Sequence, residues 1–186
     1  MPWLAIPNGD PRKATLSKLF GVEGIPSFAL IDSQTGETIN ADGRGRIMSD
    51  PTGAEFPWHP KALNDLDSPD GINEEAALIV LLEKCDEATT AAATALLTPI
   101  AEASKAKKEE LLWFVAPKEG QIAEKVRALT SLGAATADKP QMILLDIPDD
   151  GGFYVAPEGP VTAESVAAFL QAYKDKSPAL ERKQLG

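Results

Sequence analysis

ALIVLLEKCDEATTAAATALLTPIAEAS, residues 77–104, decides the fold. It opens on an unbroken apolar run, Ala77 to Leu82, too short for a buried helix and of the right length for a strand covered on both faces. The chain then turns polar. From Ala88 it carries Ala92, Leu96 and Ile100 at intervals of four, one face of a helix that the spacing extends to Lys107. A buried strand feeding a long helix calls for a second strand beyond it, and Glu110 to Val115 supplies the apolar residues for one.

The alternation continues downstream. Ile122, Val126 and Leu129 share one face of a predicted helix over 122–132, with Gly133 as its stop. Pro140 introduces a strand over 142–147, the turn PDDGG leads to a short strand over 153–155, and a helix over 162–174 starts at Thr162 with Glu164 and Ser165 placed to cap it. The order is strand, helix, strand, helix, strand, strand, helix. Such alternation implies right-handed crossovers and a partly parallel sheet closed by a hairpin.

Upstream, residues 57–74 read PWHPKALNDLDSPDGINE, rich in Pro, Asp and Asn without periodicity, and are expected to be a linker. Residues 1–56 form a smaller unit. Its expected elements are a strand at Trp3 to Ile6, a helix over 11–20 with Asp10 as N-cap and Pro11 in its first turn, a stop at Gly21, a strand over 27–31, and a hairpin through SQTGE. Leu16, Leu19 and Phe20 give that helix an apolar face.

Two stretches resemble the thioredoxin-like families. FGVEGIPSFALIDSQTGE, residues 20–37, is similar to the segment in which a helix ends and Gly-Ile-Pro precedes a strand. The resemblance implies that Pro26 is the cis proline beside which substrate backbone pairs, with Ile25 preceding it, and only X-Pro bonds reach cis at modest cost. LLTPIAEAS, residues 96–104, is similar to the family's proline-kinked helix. Counting back from Pro99 by eight and five residues, where that family has its two cysteines, gives Ala91 and Thr94, so the CxxC pair is replaced by AAAT. Pro140 takes the second cis-proline place. Without a nucleophilic thiolate and a resolving partner, dithiol–disulfide exchange is not available to this unit.

The fold class is therefore expected to be α/β, a thioredoxin-like three-layer sandwich: a complete domain over 75–186 preceded, across the 57–74 linker, by the C-terminal half of a second over 1–56. The front half of that second domain, with its own cysteines, belongs before Trp3 and is not in this chain, so the small unit cannot close its sheet alone. MPWLAIP at 1–7 and EFPWHPK at 55–61 make the whole resemble the nucleoredoxin family, relatives of the tryparedoxins. That resemblance implies a protein-disulfide reductase family, a C-terminal region without the WCxxC site, cytoplasmic and nuclear location, no cofactor, and, for animal members, a protein partner of the Dishevelled type in Wnt signalling. The reading is of a non-catalytic, protein-binding region. Its alternative is a thiol–disulfide oxidoreductase acting through Cys85 or through cysteines of a full-length protomer.

The remaining residues narrow the choice. Cys85 is the one cysteine, so no internal disulfide is possible. As a reactive thiol it would be helped by Lys84 and hindered by Glu83, Asp86 and Glu87. The one histidine, His59, has no second ligand near it to suggest a metal site. Trp58 and His59 are expected to pack the linker onto a domain, and Trp3 and Trp113 to be core residues of strands. DGRGR and DDGG lack the spacing of a phosphate loop and read as turns. Eighteen basic against 28 acidic residues leave a net charge of −10, which repels a nucleic-acid backbone. The cluster Lys105, Lys107 and Lys108 suits a helix C-terminus. No apolar run approaches the roughly 20 residues of a membrane span, and the N-terminus has no secretory pattern.

Overall fold

The structure is a computed structural model whose described residues are 4–22, 24–59, 61–137 and 139–186. The chain divides into two compact units, 1–61 and 62–186.

The second unit is built around the apolar run. Strand β4 (Ala76–Leu81) pairs in parallel with β5 (Leu111–Ala116) over six residues and antiparallel with β6 (Gln141–Asp146) over five. β6 turns back antiparallel into β7 (Gly152–Val155). Because successive residues of a strand face opposite sides, β4 serves two cores. Leu78, Val80 and Leu82 pack with Trp113, Leu144 and Phe169 on one side, under α3 (Glu87–Ala106) and α5 (Ala163–Lys174). Ala77, Ile79 and Leu81 pack with Phe114, Ile143 and Val126 on the other, under α4 (Gln121–Thr130). The result is three layers with the central strand buried on both faces, where each large aliphatic side chain contributes about 1.5–3 kcal/mol.

The caps follow the sequence. The Thr162 hydroxyl accepts from Ser165 N at 3.1 Å while the Ser165 hydroxyl accepts from Thr162 N at 2.9 Å, a reciprocal capping box. At its far end α5 is tied to the sheet by Tyr173, whose hydroxyl donates to Asp146 Oδ2 at 2.6 Å. Burial, and then that bond, push the Tyr173 pKa upward.

Two further strands lie outside the alternating pattern. β3 (Asn64–Asp65) pairs in parallel with β5, and β8 (Lys183–Gln184) pairs antiparallel with β7, so the full order is β3-β5-β4-β6-β7-β8. β3 corrects the expected linker. Residues 62–74 belong to the second unit, anchored by Leu66, which is fully buried and donates its backbone N–H to Val115 O at 2.8 Å.

The other end of the expected linker belongs to the first unit. The Trp58 indole is buried, with Phe56 edge-on at 5.2 Å, and Asn40 Nδ2 donates to Trp58 O at 3.0 Å. His59, expected to pack beside it, is exposed. Helix α1 (Arg12–Leu19) forms within the predicted span but with Pro11 rather than Asp10 at its N-cap, stops where Gly21 takes φ +62°, and buries none of its residues. The hairpin β1 (Leu30–Ile31) with β2 (Thr38–Asn40) is shorter than expected. Of the strand expected at Trp3 to Ile6, Trp3 lies outside the described residues and Leu4 to Ile6 are not strand. DGRGR, expected to be a turn, opens a second helix, α2 (Gly43–Ser49), capped by the Asp42 carboxylate accepting from Gly45 N at 3.0 Å. Its first residue has to be glycine, since a Cβ there would sit 2.7 Å from Phe28 Cδ1.

Asp50 knits the end of this unit together. Its Oδ2 accepts from Trp58 Nε1 at 2.9 Å and Glu55 N at 2.8 Å, and its Oδ1 from Ala54 N at 3.0 Å. These bonds, Trp58 foremost, hold the carboxyl down to about 2. A depressed folded pKa means the stabilisation is complete above the unfolded value of about 4 and is lost as pH falls toward 2. The Trp58 indole N–H resonance is therefore expected to keep its position on acidification through pH 4 and to move with a midpoint near 2. Movement with a midpoint near 4, the free carboxylate value of about 3.9, would contradict this arrangement.

Candidate functional site

The end of β4 and the start of α3 carry the second unit's thiol. Leu82 closes the buried run, and the backbone N–H of Cys85 donates to Leu82 O at 2.9 Å. Asp86 is the N-cap of α3, its carboxylate accepting from Thr89 N at 2.7 Å. Hydrogen bonding from the Thr89 side chain, and then the cap bond from its backbone, lower the Asp86 pKa. Cys85 is half-buried against the core just before the first helical turn, a place where orphan N–H groups favour negative charge. Its charged neighbours differ from the sequence expectation. Lys84 is paired with Glu119 at 2.6 Å. The Glu83 side chain is buried and neutralised by Arg127, so it is not a bare anion beside the thiol.

That ion pair is the feature sequence reasoning missed. Arg127 Nε and Nη2 meet Glu83 Oε1 and Oε2 at 2.7 and 2.9 Å, and Nη1 donates to Gln141 Oε1 at 2.5 Å. The two side chains retain only 8% and 3% of their exposure. One guanidinium thus joins the end of β4, helix α4 and the first residue of β6, using the planar fork that only arginine offers. The signal in the sequence was slight: a basic residue next to Val126 on the apolar side of α4, and an acid directly after an apolar strand.

The sequence placed the family's two cysteine positions at Ala91 and Thr94. Both lie inside α3 as its fifth and eighth residues, and the Thr94 hydroxyl donates back to Thr90 O at 2.8 Å. The helix begins earlier than a count from Pro99 implies, and the strand-to-helix junction holds Cys85 with Ala88 three residues on. Pro99 is an exposed residue of the helix interior.

Beside the first turns of α3 lies a cleft of about 860 Å³, walled by Thr89, Ala92, Ala93 and Leu96 and by the chain segments at 139–141 and 158–161. A second cavity of about 570 Å³ shares Pro140, Gln141 and Val161 and runs along α5 to Phe169 and Leu180. Both are lined mainly by apolar groups. Cys85 is not among the residues lining either.

Ile25 and Pro26 lie in the first unit. The Ile25–Pro26 peptide is cis, as is Phe56–Pro57, and Pro140, expected in cis, is not among the cis bonds of the described residues. Ile25 is almost wholly exposed. Among the described residues no group of three His, Cys, Asp or Glu is placed to hold a metal ion, and no helix is long and apolar enough to cross a membrane.

No family model matches the chain. Human nucleoredoxin is 36% identical over 182 residues, covering 93% of this chain and 40% of that protein. Xenopus laevis nucleoredoxin is 36% identical over 179 residues, 91% of this chain and 42% of that protein. Tryparedoxin of Trypanosoma brucei brucei is 48% identical over 60 residues, 31% of this chain and 41% of that protein. The chain spans about two-fifths of the length of these nucleoredoxins.

Proposed function

Because this chain is a relative of the nucleoredoxins over nearly its whole length, with a thioredoxin-like fold and kinship to a thioredoxin-like oxidoreductase family, we propose that it is a protein-binding region that does not itself exchange dithiols for disulfides. The observation carrying this reading is the junction at α3: a single thiol, Cys85, with alanine at the position where a resolving partner would stand, next to an apolar cleft the thiol does not line. Disulfide reduction needs a second thiolate to release the mixed intermediate, and an extended segment laid in the cleft needs none. A Dishevelled-type adaptor as the bound protein, and action in cytoplasm and nucleus, belong to the same proposal and rest on family resemblance.

Two measurements test it together. In a dithiol-coupled insulin-reduction assay the chain is expected to add no turnover to that of the dithiol alone. Purified Dishevelled is expected to bind, with Ala92→Glu, which places a charge in the cleft, weakening binding at least about tenfold, or 1.4 kcal/mol. Turnover above the dithiol background, or binding unchanged by the substitution, would overturn the reading.

The position of Cys85 favours one second reading. A thiol before a helix N-terminus can attack a disulfide, forming a mixed disulfide and expelling the other sulfur as thiolate, with an external dithiol needed to complete the exchange. Turnover that disappears in Cys85→Ala would establish it.

A further inference from the structure

One margin of the six-stranded sheet is formed by β7, and the chain covers it with its own residues 180–185. Leaving α5, the chain passes Lys176 at φ +50° and Pro178, then crosses the edge of the sheet. Leu180 packs against the core under α3 and α5, and Leu185 against the core under α4, so the segment grips the edge from both faces. Between them β8 pairs antiparallel with β7, Gly152↔Gln184 and Phe153↔Lys183, and Leu185 N donates to Gly151 O at 3.0 Å. The turn before β7 is acidic, with Asp149 and Asp150, and the segment that meets it is basic, with Arg182 and Lys183. Arg182 Nε donates to Asp149 Oδ2 at 2.9 Å and Nη2 to Asp149 O at 2.5 Å, while Gln184 Nε2 donates to Asp150 O. Gly152 leaves room for the guanidinium, since a Cβ there would lie 3.0 Å from Arg182 Nε. Lys183 meets Glu181 of its own segment at 3.9 Å.

This covering is shallow. Glu181 to Gln184 are all exposed, and the Arg182–Asp149 pair keeps 38% and 56% of its side-chain exposure, where solvent screens it and it adds little to stability. It is also short. β8 matches two of the four residues of β7, and Tyr154 and Val155 are half-buried with no strand, among the described residues, on the side away from β6. The tether accounts for this, because the segment has to run back to the end of α5 at Lys174 and so departs from β7 after two pairs.

We propose that the margin of β7 is a strand-addition site for an extended basic segment of a partner protein, an Arg-Lys pair flanked by aliphatic residues, which residues 180–185 occupy as an internal ligand. The edge itself sets the chemistry of the occupant: backbone groups to pair with, a carboxylate at Asp149 for a cation, and a seat for an aliphatic side chain on each face of the sheet. The internal segment has the advantage of its tether, which keeps its effective concentration high. A free segment has the advantage of length, since it can pair along all four residues of β7, and an unpaired strand edge is a template for such pairing. Neither Asp149 nor Gly152 lines the cleft beside α3, so this surface and the one proposed above can fail separately.

The test uses the full chain and a fluorescein-labelled peptide with the sequence of residues 178–186. Anisotropy compares its binding to the parent and to Leu180→Glu with Leu185→Glu, which lifts the internal segment by charging both of its anchors. The double variant is expected to bind at least about tenfold more tightly. Hydrogen exchange over residues 151–155 is expected to quicken in that variant and to slow again when the peptide is added. Adding Asp149→Arg to the released chain is expected to weaken binding at least about tenfold, and a peptide carrying Arg182→Asp to recover it. Arg182→Glu alone changes one exposed residue and keeps both anchors, so it gives a second, folded chain with a loosened segment, expected to bind the peptide more tightly than the parent does. Equal binding to the parent and to Arg182→Glu, peptide binding that leaves exchange over residues 151–155 unchanged, or a parent dimer in which two copies trade these segments would each overturn the proposal.

Discussion

Arg127→Leu is expected to lower the unfolding free energy of the second unit by about 3–5 kcal/mol, the cost of leaving a buried charge uncompensated. Glu83 has its side chain 3% exposed, and its two carboxylate oxygens are held by Nε and Nη2 of Arg127. Leucine fills much of the arginine stem's volume but returns no hydrogen bond to Glu83 or Gln141. The carboxylate must then be protonated, hydrated by local opening, or left bare, and each route is unfavourable. For a unit of this size the loss corresponds to a fall in melting temperature of roughly 10–20 °C. The double variant Glu83→Leu with Arg127→Leu should recover most of it, because removing both partners removes the desolvation cost as well as the attraction. Thermal and denaturant unfolding of the two variants measures this directly. A loss below about 1 kcal/mol in the single variant would place the pair in the class of solvated surface bridges.

The pair shows where sequence reading stops. Hydrophobic periodicity exposed β4, α3, β5, α4, β6, β7 and α5, because each buries a face or two and must display the corresponding spacing. It was silent on β3 and β8, whose Asn64–Asp65 and Lys183–Gln184 are polar and pair at the sheet margins through their backbones. It misread DGRGR, since two glycines suggest a turn while the cap from Asp42 and the tight approach to Phe28 make a helix start. In α1 the apolar residues Leu16, Leu19 and Phe20 were legible, but burial depends on a partner surface that no local pattern supplies, and Leu19 lies open. The Glu83–Arg127 contact joins residues 44 positions apart, beyond any window over which spacing is informative.

The site admits a second register, set by a different landmark. A proline inside a helix can sit in any of several turns, because it removes one backbone bond wherever it falls, so Pro99 does not fix where α3 begins. The N-cap does. With Asp86 capping α3, Cys85 stands just outside the helix and Ala88 is its second residue, which makes Cys85-Asp86-Glu87-Ala88 the four-residue span at the strand-to-helix junction.

That assignment makes Ala88→Cys the decisive gain-of-function substitution. Position 88 is exposed, so a thiol there adds little strain, and it supplies the resolving group the chain lacks. Cys85 as attacking thiolate would form the mixed disulfide, expelling the other substrate sulfur as a thiolate. The introduced thiol would then attack the Cys85 sulfur, release the reduced substrate and close an intramolecular disulfide. An external dithiol would restore both thiols. The variant is expected to reduce insulin at least about tenfold faster than the parent chain at equal dithiol, a barrier difference of 1.4 kcal/mol or more. A matched control, Ala91→Cys with Thr94→Cys, places the pair in the helix interior, away from the capped end, and is expected to remain at the parent's rate. If the control gains activity and Ala88→Cys does not, the register set by Pro99 is the functional one and Cys85 is a packing residue.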